Sequence, residues 1–149
     1  MTLKIKIAWI GKTKEAAIEA LSAEYLKRLS RYTEAEGVAL RDEAALLRLA
    51  RGEGSRGKYR LVLLESTARE FNSEEFAEFV RDHQENNSLP LLFAIGPADG
   101  FSVDTRRVAS TSLSLGKITM PHELARVVLL EQLYRAFTIL NRHPYHIGH

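Results

Sequence analysis

Short apolar runs rich in branched residues alternate along this chain with longer stretches whose apolar residues recur at helical spacing. Parallel strands need helical crossovers, so this alternation predicts an α/β fold. Residues 3–10 form the first run, with Leu3, Ile5, Ile7 and Trp9 alternating against Lys4 and Lys6 before Gly11. Ile18, Leu21, Tyr25, Leu26 and Leu29 then mark a helix over about 13–32, with Thr13 placed to cap it. Residues 38–40 are a weak strand candidate and 42–51 a short helix. Residues 60–64 and 89–95 read as buried strands. Ser73 reads as the N-cap of a helix reaching about Gln84, and 103–109 as a further short helix.

Pro121 stands where helices begin, and the helix predicted over 122–141 is apolar on most faces. Such a helix is expected to be covered on several sides, by the sheet and by a second subunit. The segment 52–58, with three glycines in seven residues, reads as a loop. No internal repeat or linker interrupts the pattern, so residues 1–149 are expected to form one domain.

Cysteine is absent, which excludes disulfides, thiolate metal sites and a cysteine nucleophile. No apolar run approaches the roughly 20 residues of a membrane helix, and the N-terminus lacks a leader pattern. These features fit a cytoplasmic protein. The formal net charge is +2, but its distribution is uneven. Between residues 106 and 149, Arg106, Arg107, Lys117, Arg126, Arg135 and Arg142 face only Glu123 and Glu131. A polyanion would prefer that end.

Four places could carry chemistry. The apolar run 91–95 leads into Gly96-Pro97-Ala98-Asp99-Gly100, a turn of the kind that binds ligands at the carboxyl end of a strand. Neither a G-x-G-x-x-G fingerprint nor a G-x-x-x-x-G-K-[ST] phosphate loop is present, which disfavours NAD and ATP chemistry. The stretch 112–122 mixes small, apolar and turn residues, and suits either an adenine ring or a plain connection. In the last helix Arg126, Glu131 and Arg135 interrupt an apolar surface, and Glu131 and Arg135 share one face. In the tail, His143, His146 and His149 recur every third residue. Pro144 prevents a regular helix across them, and no carboxylate or cysteine is near, so metal binding is not expected.

Several blocks, taken in order, resemble the RlmH family of SPOUT-class methyltransferases. They are F-x-I-G-x-x-D-G over 93–100, S-L-S-L-x-x-I-T-M-P-H over 112–122, R-V-x-L-x-E-Q-L-Y-R-A over 126–136 and P-Y-H over 144–146. Weaker likeness runs through 7–12, 24–32 and 73–77. The resemblance implies a parallel sheet flanked by helices with a C-terminal trefoil knot, a rare exception to unknotted topology. It also implies an obligate homodimer with S-adenosyl-L-methionine as cofactor. The implied reaction is methylation of N3 of a pseudouridine in large-subunit (23S) ribosomal RNA, on assembled 70S ribosomes. By that mapping the cofactor touches Leu64, Gly96, Leu115, Gly116, Lys117, Ile118, Thr119, Met120, Pro121 and His122. Arg135, Tyr145 and His146 lie near the target base, with Glu131 a further helper, and Arg126 and Arg142 meet phosphates. No metal and no membrane are involved.

The chain departs from the family pattern at Pro97, where a second glycine is usual, and at Ile147, where a basic residue is usual. It also differs at 65–69, where an aspartate and a Gly-Lys pair are usual. Two other readings fit the same residues. One is a non-catalytic module of this fold that binds RNA or ribosomes, and the other is a SPOUT methyltransferase acting on a different RNA.

Overall fold

The computed structural model describes residues 3–54, 57–97 and 99–145. Strands and helices alternate as β1 (Lys4–Ile10), α1 (Ala16–Leu29), β2 (Glu34–Leu40), α2 (Glu43–Arg51), β3 (Arg60–Leu64), α3 (Ser73–Asn86), β4 (Leu91–Ile95), α4 (Val103–Val108), β5 (Thr111–Leu113) and α5 (His122–Leu140). The strands make one sheet in the order β2-β1-β4-β3-β5, and every pairing is parallel. This is the α/β architecture the alternation predicts. Helices α1, α3 and α5 pack on one face over Ile5, Ile7, Val62, Phe93 and Leu113. Helix α2 and the end of α4 cover Ala8, Leu61, Leu63, Leu92 and Ala94 on the other. Each reversal of direction across the sheet coincides with a change of face, so the four crossovers share one hand, as twisted parallel strands demand.

Strand β4 is buried along its whole length, which is why its sequence is an unbroken apolar run. Helix α5 lies between α1 and α3 and buries Leu129, Leu130, Leu133, Tyr134 and Phe137. Its apolar faces are therefore met largely within the chain. At 19 residues it spans about 28 Å, and that length sets the geometry of everything below.

Four expectations change. The N-cap of α3 is Asn72 rather than Ser73: its side chain accepts from Glu75 N while the Glu75 carboxylate accepts from Asn72 N, both at 2.8 Å, a reciprocal capping box. Thr13 does not cap α1, which begins at Ala16. Instead the Glu123 carboxylate accepts from the Lys14 and Glu15 N–H groups at 3.0 and 3.2 Å. Strand β2 begins at Glu34, four residues before the run that marked it, because its acids sit opposite lysines. Lys4 meets Glu34 at 3.7 Å and Lys6 meets Glu36 at 2.7 Å. Three-residue β5 adds an edge strand on β3 inside what read as a connection.

His83 on α3 is 1% exposed. Its Nδ1 lies 3.1 Å from Arg60 Nη1, which can only donate, so Nε2 keeps the proton and donates to Leu89 O at 2.7 Å. Burial holds its pKa below the usual 6.5, against the pull of the Leu89 carbonyl. The unfolded chain therefore takes up a proton that the fold excludes as pH drops through about 6.5. Stability is full above that value and lost below it. Urea midpoints should correspond to a loss of up to about 1.4 kcal/mol between pH 7.5 and 5.5, and His83→Gln should remove most of that difference.

Candidate active site

The loops leaving β3, β4 and β5, with the first turn of α5, enclose a cleft of about 320 Å³, within the size range of small-molecule sites. Main-chain bonds knit the first loop to the third. Glu65 N donates to Leu113 O at 3.0 Å and Ser114 N to Arg69 O at 2.9 Å. The Ser114 hydroxyl, 1% exposed, accepts from Gly116 N at 3.0 Å and faces Gly116 O at 2.9 Å. That closes a tight turn, with Gly116 at φ +141°, where a side chain would be strained. The N–H groups of Lys117, Ile118, Thr119 and Met120 donate to no acceptor among the described residues. Of these, Ile118, Thr119 and Met120 line the cleft, together with Leu64, Ile95 and Leu115, which supply an apolar floor.

At the middle loop, Gly96 is held against Phe101. A Cβ there would lie 2.9 Å from the Phe101 ring, which is 5% exposed. Pro97 O accepts from Gly100 N at 2.9 Å, so the proline that lacks an N–H still closes the turn. Across the cleft, Glu65 Oε1 accepts from Arg106 Nε at 2.8 Å. Its Oε2 has no donor among the described residues, and both side chains line the cleft.

Leu64, Gly96, Leu115, Gly116, Ile118, Thr119, Met120 and His122 line this cleft, whereas Lys117 and Pro121 belong to the same loop without lining it. Glu65, Arg106 and Ser114 were missed. Glu65 directly follows a buried strand, a signal the sequence did hold. Its pairing with Arg106 exists only through the crossing of β4 over β3.

A second cluster forms at the other end of α5. Arg135 Nη2 lies 2.5 Å from Glu131 Oε2, and the Tyr145 hydroxyl donates to that same oxygen at 2.8 Å. The Arg135 guanidinium sits 5.1 Å over the Tyr145 ring, and Tyr145 meets Tyr134 edge-on at 4.8 Å. The Glu131 hydrogen bond raises the Arg135 pKa. Burial, then bonds to Tyr25 and Glu131, push the Tyr145 phenol well up. At neutral pH the cluster therefore presents a fixed cation and a protonated phenol, ordered by one carboxylate. The exposed Arg142 follows α5 at φ +56°, and His143 N donates to Thr138 O at 2.8 Å, folding the tail back onto the helix. His146 lies outside the described residues.

Arg126 joins neither group. It is 1% exposed, lies 3.6 Å over the Trp9 ring and donates through Nη1 to Thr13 Oγ1 at 2.7 Å. Its Nε and Nη2 have no hydrogen-bond partner among the described residues, and burial lowers its pKa. A guanidinium so enclosed presents nothing to an RNA phosphate. Its placement corrects that expectation and makes it a cation–π bridge from α5 to the end of β1. His122 and Arg135 stand 13 residues apart on one helix, about 20 Å along its axis. The cleft and the Arg135–Tyr145 cluster therefore do not meet within one chain.

Residues 3–146 match the family described as "Predicted SPOUT methyltransferase". The "Ribosomal RNA large subunit methyltransferase H" of Koribacter versatilis is 52% identical over 147 residues, covering 99% of this chain and 100% of that protein. The protein of the same name from Geotalea daltonii is 38% identical over 152 residues, covering 97% and 99%. That of Gloeobacter violaceus is 38% identical over 160 residues, covering 98% and 100%.

The contact at Gly96 is directly testable. Gly96→Ala should drive the Phe101 ring out of its slot and destabilise the fold by about 1–3 kcal/mol, read as a lower urea midpoint at unchanged slope.

Proposed function

Because the chain belongs to the SPOUT methyltransferase family, we propose that it methylates N3 of a pseudouridine in large-subunit ribosomal RNA, on assembled 70S ribosomes in the cytoplasm. The relatives' names motivate the RNA, and the family resemblance motivates the atom. S-adenosylmethionine fits the cleft: the main-chain donors of residues 118–120 suit the polar edge of an adenine, Leu64, Ile95, Leu115 and Met120 its faces, and the unmet Glu65 Oε2 a donor group of the ligand. The cofactor supplies a methyl group on sulfonium, a strong electrophile that needs no metal.

The chain's own residues then have two tasks. An imide N3 reacts as its anion, so a cation beside it lowers the barrier to losing the proton. Arg135, kept charged and aimed by Glu131, can fill that role. Tyr145, kept protonated, donates a hydrogen bond or packs its ring on the base. The exposed Arg142 at the tail is available to phosphate oxygens.

Methyl transfer requires reacting atoms about 3–3.5 Å apart, against the roughly 20 Å that separates the two groups along α5. This separation carries the reading of a shared site: the cleft of one copy is completed by the Arg135–Tyr145 end of a second. Two-fold symmetry makes both sites alike. Apolar side chains at the cleft end of the molecule, Ile118 at 82% and Leu124 and Leu21 each at 44% exposure, give a second copy a surface to cover.

Purified protein incubated with methyl-labelled S-adenosylmethionine should label 70S ribosomes at one pseudouridine of the 23S RNA. Label entering transfer RNA alone would overturn the substrate. Absence of calorimetric binding at millimolar cofactor would instead favour the non-catalytic, RNA-binding module.

A further inference from the structure

At the end of α5 remote from the cleft, the last turns of α1, α3 and α5 surround a second groove of about 420 Å³. Arg31, in the turn after α1, and Arg81, on α3, both line it, with the amides of Gln84 and Asn141 beside them. Its apolar side is the stacked pair Tyr32 and Phe137, with centroids 5.8 Å apart and planes within 7°. Two other arginines toward the carboxyl ends of α1 and α5 are tied to glutamates: Arg28 to Glu24 and Arg135 to Glu131. Arg31 has no carboxylate within ion-pair distance among the described residues, and Arg81 has only its neighbour Asp82, at 3.9 Å. Helix carboxyl ends favour nearby cations, which accounts for positive charge here but leaves both guanidinium forks without acceptors.

A chain of ring contacts through the buried Tyr134 links the groove to the cluster assigned to the target base. Tyr32 lies 6.3 Å from Tyr134, and Tyr134 lies 4.8 Å from Tyr145. Asn141 is six residues beyond Arg135, about 9 Å along the chain axis. Its Nδ2 donates to Phe137 O at 2.8 Å, which leaves the amide oxygen pointing away as an acceptor. Two uncommitted guanidiniums, an amide acceptor and an aromatic wall match the phosphates and 2′-hydroxyls of an RNA strand.

We propose that this groove holds the phosphodiester backbone flanking the modified base, with Arg31 and Arg81 on phosphate oxygens and Asn141 on a ribose 2′-hydroxyl. The site rests on the ribosomal-RNA reading above, and it extends the RNA contact from the target base to the adjoining strand.

The test uses full-length protein carrying Arg31→Gln and Arg81→Gln together, with Arg31→Lys and Arg81→Lys as the charge-retaining pair. Binding to 70S ribosomes is measured by sedimentation across a salt series, and methylation by label incorporation. The glutamine pair should weaken ribosome binding about tenfold and reduce the slope of log affinity on log salt by about 1.4. It should raise KM for ribosomes while leaving kcat and calorimetric cofactor affinity unchanged, and the lysine pair should recover most of the salt slope. Wild-type affinity and slope in the glutamine pair would overturn the proposal, as would a loss that the lysine pair fails to reduce. Because sedimentation needs no turnover, a wild-type protein that binds ribosomes but does not methylate them would count against the enzymatic reading and not against the groove.

Discussion

Helix α5 is wedged between α1 and α3 and rests on the sheet, and this packing fixes the distance between the protein's two chemical ends. Its first turn helps to close the ligand cleft, and its last turns carry the arginine and anchor the tyrosine of the second cluster. A rigid rod about 28 Å long, buried along Leu129, Leu130, Leu133 and Phe137, cannot bend to bring them together. The sheet order has a matching consequence: β4 leaves across β3 to reach β5, so three loops that are remote in sequence converge and are pinned by Glu65, Ser114 and their main-chain partners.

The charges divide by how they are held. At the cleft, Glu65 and Arg106 are paired yet one carboxylate oxygen stays available. In the second cluster the Glu131 carboxylate orders both the guanidinium and the phenol, and its hydrogen bonds resist loss of a proton from either. Arg126 is the exception. It is a buried cation whose Nε and Nη2 have no hydrogen-bond partner among the described residues, held by the face of Trp9 and by Thr13. The tryptophan fits because Gly37 lies beneath it, where a Cβ would come within 2.7 Å of the ring.

Most of the fold could be read from periodicity, because its central strands are buried on both faces and its helices have one clear apolar side. The failures have physical reasons. Strand β2 was read short because its glutamates look like surface residues until the lysines of β1 stand opposite. Strand β5 is too short to carry a period. Asn72 and Ser73 are both capable caps, and only Glu75 three residues on from Asn72 completes the reciprocal bond. For the site, the Leu115–His122 loop looked like a connection on its own residues, and the family resemblance was what marked it as a cofactor cradle. Arg126 is expected at an RNA phosphate because no local pattern announces a slot made by a tryptophan and a glycine from two strands. Arg135, Tyr145 and His146 are grouped by the family resemblance, and the distance of Arg135 from the cleft is visible only once the length of α5 is laid out in space.

We propose that each active site draws its cleft from one copy and its Arg135–Tyr145 cluster from another. Mixed dimers test it most directly, with Gly116→Val disabling the cleft in one chain and Tyr145→Ala the cluster in the other. Each variant alone should be nearly inactive. Random reassociation of equal amounts should restore about a quarter of wild-type methylation, since half the dimers are mixed and each holds one intact site in this two-fold arrangement. A mixture as inactive as its parents, with mixed dimers shown to form, would mean that cleft and cluster work within one chain and would contradict the account.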